Sequence, residues 1–191
     1  VAGGGTISTG LTTVEIYDPT SGTFRAAAPM LVGHSRHTAT LLPTGAVLVV
    51  SGVGSAFGAY EPAAELYDPA RDAWRLAGSL GVARNNHTAS LLFDGRVVVV
   101  GGQANAAYGD VEIFDPLTLT WSAGPQLETA RYSHVSVDLP GERILVAGGY
   151  AGGLRLGSWE MIDFDSSCAT NHGYCDASTT CSDAGGPIVC G

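Results

Sequence analysis

Val14-Glu15-Ile16-Tyr17-Asp18-Pro19 returns as Ala64-Glu65-Leu66-Tyr67-Asp68-Pro69 and as Val111-Glu112-Ile113-Phe114-Asp115-Pro116. It returns in part as Trp159-Glu160-Met161-Ile162-Asp163. The glutamates step by 50, 47 and 48 residues. A period of that size, carried by strand-length apolar runs, means an array of repeated sheet units, because each unit can bury its apolar face only against its neighbour. The repeat decides the architecture. It says less about activity, since function resides in sites grafted onto a fold.

Each unit keeps four features in order. An aromatic follows the tyrosine position by seven residues: Tyr17 to Phe24, Tyr67 to Trp74, Phe114 to Trp121. A stretch opened by histidine comes next, at His37, His87 and His134. Short polar turns follow, Pro43-Thr44-Gly45, Phe93-Asp94-Gly95 and Pro140-Gly141-Glu142. Glycine at such a point reaches positive φ without strain and marks a hairpin. A β-branched run then ends in glycine, over 47–52, 97–102 and 144–149. These runs are apolar at successive positions and predict central strands buried on both faces.

The glycine pair, the Tyr-Asp-Pro and the tryptophan, in this order and spacing, resemble the kelch repeat in its bacterial form. The resemblance covers residues 1 to about 164. It implies an all-β fold: a partial kelch β-propeller of three full four-stranded units, with partial units at each end. Two departures stand out: Ser51-Gly52 where the other units have paired glycines, and a fourth unit without proline after Asp163. A ring of this kind protects its edges by closing. Three units cannot close it, so the chain is expected to be an internal piece of a longer protein.

Residues 1–165 are read as the propeller part and 166–191 as a separate cysteine-rich module. All four cysteines, Cys168, Cys175, Cys181 and Cys190, fall in that second segment. Such clustering reads as a disulfide module; a zinc site with His172 is the alternative, against which stands the lack of a Cys-x-x-Cys pair. Four cysteines allow three pairings. The gaps of six, five and eight residues and Asn171-His172-Gly173 resemble the first two-thirds of an EGF-like domain. That resemblance implies Cys168–Cys181 and Cys175–Cys190 disulfides. Ser166 and Ser167 stand where the calcium-binding version carries an acid, so no cofactor is expected.

Eighteen acidic residues oppose nine basic ones, all arginine, for a net charge of −9. This argues against nucleic acid as a partner, and no apolar run is long enough for membrane insertion. With the cysteine-rich end, it points to an extracellular or cell-surface protein.

The recurring histidines and glutamates read as structural, because a catalytic acid or base is needed once, not in every unit. Buried polar groups that recur are expected to be satisfied by neighbouring strands or turns. No nucleophile elbow, phosphate loop or metal cluster appears, and no enzyme activity is expected. Candidate binding residues are those of the variable segments: His34 and Arg36, Arg84 and Asn85, Arg131 and Tyr132, preceding the histidines. In some eukaryotic kelch proteins arginines at this point bind acidic peptides at the channel mouth; the alternative is that these residues pin neighbouring units. The loops after the glycines also vary and carry Tyr60, Glu61, Tyr108, Tyr150 and Arg155. The expected function is an interaction module for a protein or carbohydrate ligand. The resemblance leaves two other readings, a fragment of a secreted galactose-oxidase-like copper enzyme and a rigid spacer.

Overall fold

The computed structural model describes residues 1–6 and 8–164. Fifteen strands and no helix make up these residues. The strands β3 (Thr38–Leu41), β4 (Val47–Val50), β5 (Ala63–Asp68) and β6 (Ala73–Ser79) form one antiparallel four-stranded sheet in sequence order. Strands β7 (Thr88–Leu91), β8 (Val97–Val100), β9 (Val111–Asp115) and β10 (Thr120–Ala123) form a second in the same order. Before them, β1 (Val14–Asp18) pairs with β2 (Thr23–Ala27). After them, β11 (Val135–Leu139), β12 (Arg143–Ala147) and β15 (Trp159–Asp163) form a three-stranded sheet. A small hairpin, β13 (Tyr150–Ala151) with β14 (Leu154–Arg155), interrupts its last connection.

Two sheets therefore hold four strands, where three full units were expected. The reason is phase. Each sheet begins at the histidine strand, so the Glu-Ile-Tyr-Asp-Pro strand is third in a sheet rather than first. Three sequence units then span two whole sheets and parts of two others. The cysteine-rich module, with its proposed disulfides, lies outside the described residues.

The expectation that the β-branched runs are buried on both faces holds for β8 and nearly for β4, whereas in β12 burial alternates, with Leu145 and Ala147 only part-buried. Val97, Val98, Val99 and Val100 have no exposed surface. Val97 and Val99 join the core shared with Leu48, Val50 and Leu66 of the preceding sheet. Val98 and Val100 join the core shared with Ile144, Val146 and Ile162 of the next. A strand sandwiched between two sheets buries both sides of its pleat, which is why its sequence is apolar at consecutive positions rather than alternate ones.

Turn chemistry explains the other repeated features. The carboxylates of Asp18, Asp68 and Asp115 accept the N–H groups of Thr20, Ala70 and Leu117 at 2.8, 2.9 and 2.8 Å. These are Asx turns closing the hairpins between third and fourth strands. Across each hairpin the two aromatics are register partners, with centroids 5.0 Å apart for Tyr17–Phe24 and Tyr67–Trp74 and 5.1 Å for Phe114–Trp121. The indole N–H groups of Trp74 and Trp121 then donate 2.9 Å bonds to Ala28 O and Ala77 O of the preceding sheet.

The second glycine of each pair is required by both conformation and space. Gly102 has φ +101°, and a Cβ there would lie 2.9 Å from Asn85 O and 2.9 Å from His87 Cβ. Gly102→Ala should cost about 1–3 kcal/mol of stability, read as a lower urea midpoint. Gly157→Ala, where nothing lies within 4 Å, should leave the midpoint unchanged. Equal midpoints for the two variants would remove the close-approach argument. Ser51, the departure from the glycine pattern, adopts φ 54°. Its hydroxyl is within donating distance of Glu61 O (2.8 Å) and Arg84 O (2.9 Å) and accepts Arg84 N–H (3.0 Å). The serine thereby ties its sheet to the crossover that leaves it.

Candidate functional site

Antiparallel pairing puts two sets of connections on the same face of every sheet. One set links second to third strands, 51–62, 101–110 and 148–158. The other is the crossovers that enter each first strand, 28–37, 80–87 and 124–134. All six candidate binding residues lie on the crossovers. Bridges join the two sets, Ser35 with Val53, Asn85 with Gln103 and Tyr132 with Tyr150.

The structure separates the candidates sharply. The Arg84 side chain is fully buried. Its Nε donates to Val82 O at 3.1 Å, its Nη1 to Gly101 O and Asp110 O at 3.1 Å each, and its Nη2 to Glu112 Oε1 at 2.6 Å. Arg131 repeats the pattern with Thr129 O, Gly148 O and Ser158 O, and its Nη2 donates to Glu160 Oε1 at 2.6 Å. His34 takes the same place in the first crossover, 3.1 Å from Glu65 Oε1, and both side chains are fully buried. These three residues are clasps that fix a crossover to the third strand of the sheet it enters. Contact between Arg84 or Arg131 and an acidic partner at the mouth is therefore corrected: the guanidinium groups have no exposed surface and are spent on internal acceptors.

The repeated glutamates are the other half of each clasp. Glu65 accepts Leu31 N–H (2.7 Å) and Val32 N–H (3.0 Å). Glu112 accepts Gly81 N–H (2.8 Å), and Glu160 accepts Glu128 N–H (2.6 Å) and Thr129 N–H (3.1 Å). Burial raises the carboxyl pKa of Glu65 and Glu160, but the hydrogen bonds from His34 or Arg131 and from these amides outweigh it, so both sit below the ordinary value. Charge-assisted bonds of this kind favour the ionised form.

The recurring histidines bind sheet to sheet. His87 Nε2 lies 3.0 Å from Thr38 Oγ1, and His134 Nε2 lies 2.9 Å from Thr88 Oγ1. Burial, with nearby Arg84 and the other two histidines, pushes His87 down to about 3. Burial also pushes His37 and His134 down to about 4, helped by His34 and Arg131 respectively. All three are neutral near pH 7. The expected satisfaction by neighbouring strands holds for Nε2 of His87 and His134, whereas Nδ1 of His37, His87 and His134 is buried without a hydrogen-bond partner. The glycosylation sequon Asn86-His87-Thr88 sits in the same layer, with the Thr88 hydroxyl hydrogen-bonded to His134 and Ser136.

What remains accessible is different in character. Arg36 is exposed, with φ 56°. Tyr132 is half-buried and stacks on Tyr150 with centroids 5.7 Å apart and planes at 24°. Asn85 is buried, and its Oδ1 has no hydrogen-bond partner. The Gly102 N–H to Arg131 O bond (2.8 Å) and the Ser133 N–H to Asn86 O bond (2.9 Å) bring the Asn85–Gln103 and Tyr132–Tyr150 pairs onto adjoining sheets. Two loop tips escape sequence reasoning. Phe57 is 85% exposed and Leu154 is 74% exposed. An aromatic among glycines, serine and alanines in Gly54-Ser55-Ala56-Phe57-Gly58 was the available signal for the first.

Among the described residues, no group of three or more histidine, cysteine or acidic side chains could hold a metal ion. No helix among them is long and apolar enough to cross a membrane. No curated protein matches the chain. The family model for the kelch motif matches residues 84–128, which run from the Arg84 clasp through β7–β10 to Glu128, and the antiparallel sheets of the described residues fit a kelch-repeat fragment.

Proposed function

We propose that the chain is an interaction module, outside the cell or on its surface, that holds a protein partner against the face built by the second-to-third-strand loops and the crossovers. Kelch motifs generally mediate protein interactions. The observation that carries the assignment to this face is its variability. Strands, clasps and hairpin turns repeat from unit to unit, while 53–62, 103–110 and 150–158 share neither length nor sequence. Their composition of tyrosine, serine, glycine, asparagine and alanine suits adaptable contact surfaces with a few aromatic anchors. The exposed tips Phe57 and Leu154 supply apolar anchors. A carbohydrate ligand is the second reading, supported by the half-buried, stacked Tyr132–Tyr150 pair. No catalytic activity is proposed. The net charge of −9 and the clustered cysteines support the extracellular placement.

The immobilised chain should retain a partner from the extracellular proteins of its source. Phe57→Ser with Leu154→Ser should weaken that binding about thirtyfold, the loss of roughly 2 kcal/mol expected of anchor residues. Phe93→Ser is the control: Phe93 is 84% exposed in a turn of the opposite face. Equal binding by the two variants would move the site elsewhere.

A further inference from the structure

The first clasp differs from the other two in one chemical respect, which makes it titratable. His34 Nδ1 lies 2.8 Å from Ser51 O, and Nε2 lies 3.1 Å from Glu65 Oε1. A backbone carbonyl can only accept, so Nδ1 must carry a proton. The Glu65 carboxylate already accepts two amide N–H bonds from Leu31 and Val32, an arrangement that favours its ionised form. Nε2 must then donate as well. Both ring nitrogens acting as donors is the imidazolium state. Neither side chain has exposed surface, so water cannot replace the missing half of the bond.

We infer that the His34–Glu65 clasp is a pH-sensitive latch on the first crossover, closed while His34 carries both protons and released as pH rises, whereas the Arg84–Glu112 and Arg131–Glu160 clasps stay closed. The titratable groups facing His34 are Glu65, from β5, and His37, whose ring is 5.9 Å away in an edge-on arrangement. From the segment before β1, His34 meets the peptide groups of Gly4 and Leu11. Its sequence neighbours carry the latch's consequence. Ser35 N–H donates to Val53 O (3.0 Å), and Gly33 N–H donates to Ser55 Oγ (3.0 Å). These bonds hold the root of the loop bearing Phe57. Release would therefore free one of the partner-binding loops, a consequence that rests on the function proposed above; the latch itself does not.

Amide hydrogen exchange of the full chain tests it, with rates corrected for the intrinsic effect of pH. Leu31 and Val32, the amides held by Glu65, should lose protection by about tenfold per pH unit once His34 gives up its proton, the slope of one linked proton. Gly81, Glu128 and Thr129, held by Glu112 and Glu160, should keep theirs over the same range. His34→Arg should make Leu31 and Val32 as insensitive to pH as the others. Ring-nitrogen NMR of the unmodified chain gives an independent readout that needs no variant: two protonated nitrogens on His34 at pH values where the other buried histidines are neutral. A singly protonated His34 there, or parallel loss of protection at all three clasps, overturns the latch. Because no partner is needed, its failure is distinct from failure of the binding proposal.

Discussion

Arg84→Ala should destabilise the folded chain by about 3–5 kcal/mol, the cost of removing one partner from a buried ion pair. The alanine would leave the Glu112 carboxylate with its Gly81 amide contact but without its cation, and it would deprive Gly101 O and Asp110 O of a common donor. The crossover that carries Asn85, Asn86 and His87 into β7 would lose its anchor to β9. Arg131→Ala should behave alike, since Arg131 bridges Gly148 O, Ser158 O and Glu160 in the same way. Arg36→Ala, at an exposed side chain of the same face, should change stability by no more than about 0.5 kcal/mol. Urea midpoints of the three variants compare these directly. An Arg84→Ala midpoint equal to that of Arg36→Ala would mean that the guanidinium is free at the mouth after all.

Acidification should unfold the chain well before its carboxylates titrate, and the histidines set the direction. His37, His87 and His134 have folded pKa values pushed below the ordinary 6.5, to about 4, 3 and 4. Below pH 6.5 the unfolded chain takes up protons that the folded chain refuses, so stability falls as pH falls. Each such group costs about 1.4 kcal/mol per pH unit, and three together about 4 kcal/mol per unit between roughly pH 6 and pH 4. Protonation of Glu65 and Glu160, held below the ordinary carboxylate value, adds to the loss at still lower pH. Urea midpoints at pH 7 and pH 5 measure the effect; a flat profile over that interval would mean that the three rings reach solvent.

The contrast between the clasp arginines and the loop tips shows what local sequence can carry. That 97–100 is a strand buried on both faces followed from four consecutive valines, because side-chain direction alternates along a strand and only a doubly covered one needs apolar residues on both sides. The polar hairpin turns, the aromatic seven residues after each tyrosine position and the glycine ends were legible for the same reason: each depends on residues within about ten positions of one another. The phase of the sheets was not. A repeat can be cut at any point without changing its period, and only the pairing of β3 with β4 and of β7 with β8 shows that each sheet starts at its histidine strand.

The role of Arg84 and Arg131 lay beyond the sequence for a different reason. An arginine before a strand reads equally as a ligand at a channel mouth or as a pin. What decides is burial and the position of a glutamate 28 or 29 residues further on, brought beside it by a crossover and two intervening strands. His34 occupies the same place in the first crossover, and the exposure of Phe57, hinted at only by its setting among small residues, shows in the packed loop. Exposure and long-range pairing are properties of the packed chain, so tertiary structure alone withdrew Arg84 and Arg131 from the expected cationic mouth and left Arg36 and the Phe57 and Leu154 tips exposed there.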